Sequence, residues 1–368
     1  MFINKNIFKF NYNFRSIFSM HEYKVSIIIP IYNVGNYLED TIKNVMAQSI
    51  GFNNIELILI DDCSKDNSKS IIEKYADKYS NIKPIFLKSN SGHPSYPRNI
   101  GLKNVTAPFI IFLDSDDALY YDYCEVLYNI ISTNDVDIVN CNHTSKLNDE
   151  LYIPDSINSI NFSSKILSGD NKLVVNPTVW GNIYRTSFFK ENNIKFLHIL
   201  FEDLVFSIYC LLKTKKEVIY LDNYPGYIYL IENKDSVTHK VNIKTLNDFL
   251  TAMNLIYGLL KVNCSENTKI NLLNDMMNMV FFILSKLDNP LEGIKRLYDF
   301  ENKLDFNLTP LSMPFNILNR MIMKKYFRFS LFLTKIMGLL YNNKKIRNFL
   351  FLKYKGIKKL DDSRYFID

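Results

Sequence analysis

The chain has 368 residues, of which 47% are hydrophobic and 14% aromatic, and this composition excludes a disordered protein. Eleven Gly and eleven Pro exclude a collagen-like or linker-rich chain, and five scattered Cys predict neither a disulfide framework nor a Cys-rich zinc site. The formal net charge is +6, and it is unevenly distributed along the chain, since Phe315–Leu360 contains twelve Lys or Arg and no Asp or Glu. We therefore expect an acidic body with a basic tail, and no nucleic-acid partner.

The sequence contains no apolar run of the roughly 18 residues that a membrane-spanning helix needs. Residues 1–23 mix Lys and Asn with apolar residues and do not have the pattern of a signal peptide. We therefore predict a cytoplasmic protein. The basic tail, which mixes Lys and Arg with Phe, Leu and Tyr, has two interpretations: an amphipathic helix on an anionic membrane surface, or a helix packed on the body with a solvated basic face.

The first 140 residues alternate strands with helices. Val25–Ile31 and Ile55–Ile60 are continuous apolar, β-branched runs, typical of parallel strands that are buried on both faces. Five alternations predict an open, mostly parallel α/β sheet with helices on both faces. Further strands are predicted at Ile82–Leu87, Phe109–Leu113 and Asp137–Asn140, and helices at Gly35–Ser49, Ser68–Tyr79, Pro97–Val105 and Tyr121–Ser132.

This alternation ends after His143. The polar stretch Lys146–Ser168 predicts a loop or insertion, and short strands and helices are expected up to His239. Everything beyond Asn242 has a helical pattern. We therefore predict an N-terminal arm (1–23), an α/β domain (24–240), a helical region (241–314) and a basic amphipathic tail (315–368).

Polar residues follow each of the first four strands. In an open α/β sheet, ligands bind beyond the carboxyl ends of the strands, so these residues are candidates for a binding site. One such strand end could be a helix cap, but four at the same edge favour a ligand. The residues are Pro30-Ile31-Tyr32-Asn33, Asp61-Asp62, Asn90-Ser91-Gly92 and Asp114-Ser115-Asp116-Asp117.

Asp114 and Asp116 suit a hard divalent cation such as Mg²⁺ or Mn²⁺, because two carboxylates at the end of a strand can turn towards one point. Asp117 could instead cap the helix that follows. The sequence has no glycine-rich phosphate-binding motif, so a cation is the expected partner of a diphosphate. His239 is a candidate third ligand or phosphate contact.

Glu202 and Asp203 begin a predicted helix. They are either ordinary first-turn acids, favoured by the helix dipole, or a catalytic base with a residue that orients it. Trp180, the only Trp, could stack on an acceptor sugar or pack in the core.

Taken together in this order, these motifs resemble the family 2 glycosyltransferases of the GT-A fold, over about residues 24–239. The resemblance implies an enzyme of hexosyltransferase type that uses a nucleoside-diphosphate sugar, a divalent cation and a glycan or lipid-linked acceptor. The motifs that carry it are Pro30-Ile31-Tyr32-Asn33, Glu39-Asp40, Leu57–Asp66, Asn90-Ser91-Gly92, Arg98-Asn99-Ile100-Gly101, Phe112–Asp117, Trp180–Phe188 and Phe201-Glu202-Asp203.

The resemblance also implies roles for single residues. Asp203 would be the general base, with Glu202 orienting it, and Trp180 would lie on the acceptor side. Asp116 would bind the cation directly, and Asp114 would meet the ribose or a metal-bound water. The residues implied for nucleotide-sugar binding are Pro30, Tyr32, Asn33, Glu39, Asp61, Asp62, Gly92, Arg98, Asn99, Asp114, Ser115 and Asp116.

Two positions depart from the family pattern: Cys63 stands where Gly is more usual, and Asn182 where Lys is common. One alternative is a haloacid-dehalogenase-type phosphohydrolase with Asp114 as nucleophile. Against it, that motif needs Thr or Val at the position of Ala118 and lies on the first strand of its domain. A second alternative is a non-catalytic sugar-nucleotide-binding protein, which the intact acids disfavour.

Overall fold

The computed structural model describes residues 23–147, 150–154, 157, 163–175, 177–231, 241–304, 308, 313–325, 330–335 and 357–359. The predicted N-terminal arm and most of the basic tail lie outside the described residues, and so does His239. Membrane contact by the tail therefore stays a prediction, which liposome flotation can check.

The described strands form two sheets. The larger sheet has the strand order β3-β2-β1-β4-β10-β6-β11-β9, and the smaller sheet has the order β13-β8-β7-β12-β5. The strands are β1 (Val25–Ile31), β2 (Ile55–Asp61), β3 (Ile82–Phe86), β4 (Phe109–Phe112), β5 (Ala118–Leu119), β6 (Ile138–Cys141), β7 (His143–Leu147), β8 (Glu150–Pro154), β9 (Lys165–Leu167), β10 (Asn182–Arg185), β11 (Val218–Leu221), β12 (Tyr227–Leu230) and β13 (Ile357–Lys359).

Helices cover both faces of the larger sheet. Because successive side chains of a strand point to opposite faces, Ile27 and Ile29 of β1 pack in one apolar cluster with α1 and α2, and Ile28 packs in the other. The helices are α1 (Gly35–Met46), α2 (Ser68–Ala76), α3 (Ser95–Asn104), α4 (Tyr123–Thr133), α5 (Thr186–Asn192), α6 (Glu202–Lys213), α7 (Ile243–Asn263), α8 (Glu266–Lys286), α9 (Pro290–Glu301) and α10 (Met313–Met323).

Strands β1 to β4 are parallel neighbours, as the apolar runs predict: β1 pairs with both β2 and β4, and β2 pairs with β3. Their carboxyl ends therefore lie at one edge. The helices beyond Asn242 pack directly on this unit, since Phe249 of α7, Met277 of α8 and Leu297 of α9 share an apolar cluster with Phe206 of α6. The C-terminal helices thus support α6, which begins with Glu202 and Asp203.

The prediction of a loop at Lys146–Ser168 is wrong in part. The end of β7 and all of β8 and β9 lie in this stretch. The strand pairing also differs from an all-parallel sheet, because β10 runs antiparallel to both β4 and β6. Strands β8, β9 and β10 have three to five residues and include polar or charged side chains, so they lack the continuous apolar run that reveals the equally short β4.

None of the helices in the described ranges has both the length and the apolar character needed to cross a bilayer. All five cysteines are free thiols in the structure.

Candidate active site

The loops that follow β1 and β2 are joined by hydrogen bonds. The backbone N–H of Asn33 donates to Ser64 Oγ at 3.0 Å, and the N–H of Lys65 donates to Asn33 Oδ1 at 2.7 Å. Asp61 closes the turn after β2 by accepting from the N–H of Ser64 at 3.3 Å. Tyr32 stays 45% exposed beside this loop pair, an arrangement that leaves an aromatic ring open to a ligand.

Asp62 fixes the loop that follows β3. It accepts hydrogen bonds from Ser91 N at 3.0 Å, Ser91 Oγ at 2.8 Å and Asn90 Nδ2 at 3.1 Å. Burial raises the pKa of Asp62, although the Ser91 bonds act in the opposite direction. Gly92, with a φ of 81°, makes the turn, and its N–H donates to Asn90 Oδ1 at 2.9 Å.

Cys63 has a left-handed backbone, with a φ of 62°. This conformation costs a residue with a Cβ about 1–2 kcal/mol, which explains why Gly is common at this position.

We expect Cys63→Gly to raise the free energy of unfolding by about 0.5–1 kcal/mol. This is less than the full backbone cost, because Gly also has a greater entropy in the unfolded chain. Urea denaturation measures this change. Cys63→Ala, which keeps the Cβ, should give no gain, and an equal gain in both variants would contradict the backbone explanation.

Asp114, Ser115, Asp116 and Asp117 follow β4, and contacts from α1 fix their backbone. Thr41 Oγ1 lies 3.0 Å from the carbonyl oxygen of Ser115 and 3.1 Å from that of Asp117. Ser115 and Asp117 are buried, whereas Asp114 and Asp116 are half-buried. The loop therefore presents the two acids of the predicted metal motif towards solvent.

Asp117 has a role that its position in the sequence did not reveal. Its Oδ2 accepts from the hydroxyl of Tyr227 at 2.7 Å, and its Oδ1 accepts from the N–H of Leu230 at 2.8 Å. The Tyr227 hydroxyl also accepts from the N–H of Asp114 at 3.2 Å. Asp117 thus joins the loop after β4 to β12. It does not cap α4, because the residue at the N-cap position of that helix is Asp122.

Arg98 brings three elements together. This buried side chain of α3 forms ion pairs with Asp114 Oδ1 at 2.7 Å and with Glu202 Oε1 at 2.6 Å. Burial disfavours the cation, but the carboxylates of Asp114 and Glu202 reverse this effect and raise the pKa of Arg98. The guanidinium therefore links the end of β4 to the start of α6.

The two acids at the start of α6 compete for a proton. Burial raises the pKa of Glu202 to about 7, against the effect of Arg98, and the charge of Asp203 adds to the rise. Burial likewise raises the pKa of Asp203, again against Arg98. Phe201, immediately before them, has a left-handed φ of 65°. Strained backbone of this kind is frequent at functional sites, because the surrounding structure must hold it.

Tyr229 of β12 lies among the acids. Burial raises its pKa, and the nearby charges of Asp117, Asp114, Asp116 and Asp203 add to the rise. The Arg98 ion pairs bring Asp114, after β4, next to Glu202, which immediately precedes the predicted base Asp203. Tyr227 and Tyr229 were missed from the sequence; the Y-x-Y spacing on a strand was the only signal.

Trp180 packs over the same two tyrosines. Its ring stacks on Tyr227 with a centroid distance of 4.7 Å and on Tyr229 with 5.8 Å, and His143 meets it edge-on at 5.1 Å. Asn182 fixes this loop, because its Nδ2 donates to the carbonyl oxygen of Trp180 at 2.9 Å. Trp180 thus supports β12, and acceptor stacking by its remaining surface stays a prediction.

The structure places other predicted residues away from the acids. The carboxylate of Glu39 bonds to Lys74 at 3.1 Å and to Tyr75 at 3.0 Å, so it joins α1 to α2. Asn99 binds the backbone of Phe196. Pro30 lies within β1, buried in the sheet. Asp62, immediately after β2, is separated from the acids after β4 by the width of β1. At the usual strand spacing this is a distance of roughly 10 Å, which a nucleoside diphosphate can bridge.

The donor set fits a divalent cation that also binds a substrate. Among the described residues, no three His, Cys, Asp or Glu side chains are arranged to hold a metal ion by themselves. Magnesium commonly binds through one or two carboxylates together with substrate phosphates. Asp116, together with Asp114, would supply those carboxylates. Asp117 does not belong to this set, since both its oxygens accept hydrogen bonds from β12.

Comparison with known proteins gives consistent matches. The sequence profile described as "Glycosyl transferase family 2" matches residues 26–209. A cholesterol galactosyltransferase of Borreliella burgdorferi is 29% identical over 359 residues, which cover 86% of this chain and 98% of that protein. TarP of Staphylococcus aureus, a poly(ribitol-phosphate) β-N-acetylglucosaminyltransferase, is 34% identical over 238 residues, covering 64% of this chain and 71% of that protein.

A solved structure shares the fold. The crystal structure of S. aureus TarS 1–349 in complex with UDP-GlcNAc matches with a TM-score of 0.66 at 23% identity, covering 85% of this chain and 90% of that chain. This match confirms the predicted fold class, an α/β GT-A sheet followed by helices.

Proposed function

Because the chain belongs to glycosyl transferase family 2, we propose that it transfers a sugar, with inversion, from a UDP-linked donor to a hydroxyl group of a glycan or lipid-linked acceptor. The observation that carries this proposal is the Arg98 bridge. It holds Asp114, next to the proposed cation site, and Glu202, next to the proposed base Asp203, at either end of one guanidinium.

The donor would lie across the edge formed by β2, β1 and β4. Its base would meet Asp61 or Asp62 beside the exposed ring of Tyr32, and its diphosphate would reach Asp114 and Asp116. The TarS complex with UDP-GlcNAc supports a UDP-linked donor, since the two chains share their fold.

Asp203 would take the proton from the acceptor hydroxyl as that oxygen attacks the anomeric carbon on the face opposite the diphosphate. A raised pKa suits this role, because a stronger base accepts the proton more readily. Glu202 would hold Arg98 in place, and the charge of Asp114 adds to the effect of burial in raising the pKa of Asp203.

A bound Mg²⁺ or Mn²⁺ would neutralise the diphosphate and make it a better leaving group. Asp116 would hold this ion together with Asp114. Asp114 also accepts a hydrogen bond from Arg98, which fixes the orientation of its carboxylate.

We expect Asp116→Ala to abolish the effect of metal on donor binding. In the wild-type protein, Mn²⁺ should strengthen UDP binding at least tenfold, or about 1.4 kcal/mol, by isothermal titration calorimetry. In Asp116→Ala, UDP should bind equally with and without Mn²⁺. Asp77→Ala, an exposed position at the end of α2, is the matched control and should behave as wild type. An intact metal effect in Asp116→Ala would remove Asp116 from this role.

The names of the two relatives support a hydroxyl group as the acceptor. The Borreliella burgdorferi enzyme is named for cholesterol, and TarP is named for poly(ribitol phosphate). The phosphohydrolase alternative loses its basis, because the family match covers Asp114 and its strand. The non-catalytic alternative loses its basis too, because the named relatives are transferases.

A further inference from the structure

A pocket that is open to solvent, which we call the α3 cavity, lies at the start of α3 beside the candidate active site. It has a volume of about 400 Å³. None of its lining residues is Asp, Glu, Lys or Arg. The lining residues are Ser89, Ser91, Ser95, Tyr96, Asn99 and His198.

The chemistry of this lining suits a neutral ligand with many hydroxyl groups. Serine hydroxyls both donate and accept, as the hydroxyl groups of sugars and polyols do. Tyr96 is 48% exposed, so its ring offers an apolar surface for the C–H face of such a molecule. Ligand sites commonly combine an aromatic wall with a few polar groups that set orientation.

His198 is held in position on this wall. Its Nδ1 lies 3.3 Å from Ser95 Oγ, and the ring of His93 meets it edge-on with a centroid distance of 4.9 Å. Burial and the neighbouring His198 lower the pKa of His93.

The α3 cavity is tied to both halves of the active site. On the nucleotide side, Ser91 donates to Asp62. On the other side, Asn99 Nδ2 donates to the carbonyl oxygen of Phe196 at 2.9 Å, and Phe196 N donates to Asn99 Oδ1 at 2.8 Å. The chain then runs from Phe196 through His198 to Asp203, so a ligand in the α3 cavity contacts the segment that carries the proposed base.

We propose that the α3 cavity binds a neutral sugar or polyol unit of the acceptor. This proposal rests on the proposed function, and it names the chemistry of one part of the acceptor: hydroxyl-rich and uncharged. The unit would lie against Tyr96, hydrogen-bonded to the serines and to His198.

Saturation-transfer NMR on the full-length protein tests this directly, with methyl β-D-glucoside, ribitol and methyl phosphate as separate probes. Wild-type protein should give signals for one or both neutral probes. These signals should be lost in Tyr96→Ala and in His198→Ala, and should persist in Tyr96→Phe, which keeps the ring. Tyr121→Ala is the matched control, since Tyr121 is also 48% exposed and does not line the α3 cavity.

Three outcomes would overturn the proposal: binding of methyl phosphate alone, neutral-probe signals that survive in both Tyr96→Ala and His198→Ala, or no signal from either neutral probe. Circular dichroism melts of each variant separate loss of binding from loss of folding. The NMR readout needs no turnover. UDP-sugar hydrolysis by the wild-type protein is followed separately, so its absence would count against the proposed function and not against the α3 cavity.

Discussion

Asp203→Asn should lower the rate of sugar transfer by roughly 10²- to 10⁴-fold, the usual contribution of a general base. The amide keeps the size of the side chain but cannot take a proton. Donor binding should be unchanged, because the residues proposed to hold the nucleotide lie at the ends of β1, β2 and β4. Release of UDP from a UDP-sugar measures turnover, and calorimetry with UDP and Mn²⁺ measures binding.

The pH dependence gives this prediction a second readout. Asp203 and Glu202 share a buried site, so their titration belongs to the pair. Because burial raises the pKa of both Glu202 and Asp203, kcat/KM of the wild-type protein should fall on the acid side at a pH above the usual range of an Asp. Asp77→Asn should keep both rate and profile. Wild-type turnover in Asp203→Asn would exclude Asp203 as the base.

The larger elements could be predicted because their signals are local. The apolar run of β1 and the helical period of α2 are properties of a few neighbouring residues, and both elements lie where those patterns place them. Short strands such as β10 depend on partners far away in sequence. β10, for example, pairs with β4 and with β6, which lie about 40 to 70 positions earlier, and its own four residues contain no signal for these partners.

The residues of the candidate site were likewise predictable only where their signal is local in the sequence. The acids after β4 stood out because they follow a buried strand directly. The residues that bind these acids could not be recognised in the sequence, because they are distant along the chain. Tyr227 lies 110 positions from its partner Asp117, and Arg98 lies 104 positions from Glu202. Such pairs are set by the fold, which brings α3, α6 and β12 to one edge. Sequence reasoning therefore found the residues proposed for chemistry and missed most of those that orient them.

Arg98→Met should lower the free energy of unfolding by about 3–5 kcal/mol at pH 8, because it leaves the buried carboxylate of Glu202 and the half-buried carboxylate of Asp114 without their cation. Met fills much of the same volume, so the loss reports charge rather than a cavity. Urea denaturation followed by the fluorescence of the single Trp measures it. Arg296→Met is the matched control: its ion pair with Glu292 is exposed, and its loss should cost less than about 1 kcal/mol.

The sign of the pH effect distinguishes this explanation from simple loss of packing. Burial already raises the pKa of folded Glu202 from 4.5 to about 7, so its stabilising contribution is present below pH 4.5 and is lost as the pH rises through 7. Without Arg98 that pKa rises further, and protonation removes the unpaired charge. The defect of Arg98→Met should therefore shrink between pH 8 and pH 5, and Glu202→Gln in the same chain should recover part of it at pH 8. A defect that is independent of pH would show that Arg98 stabilises the fold by packing on Phe196 instead of by pairing the acids.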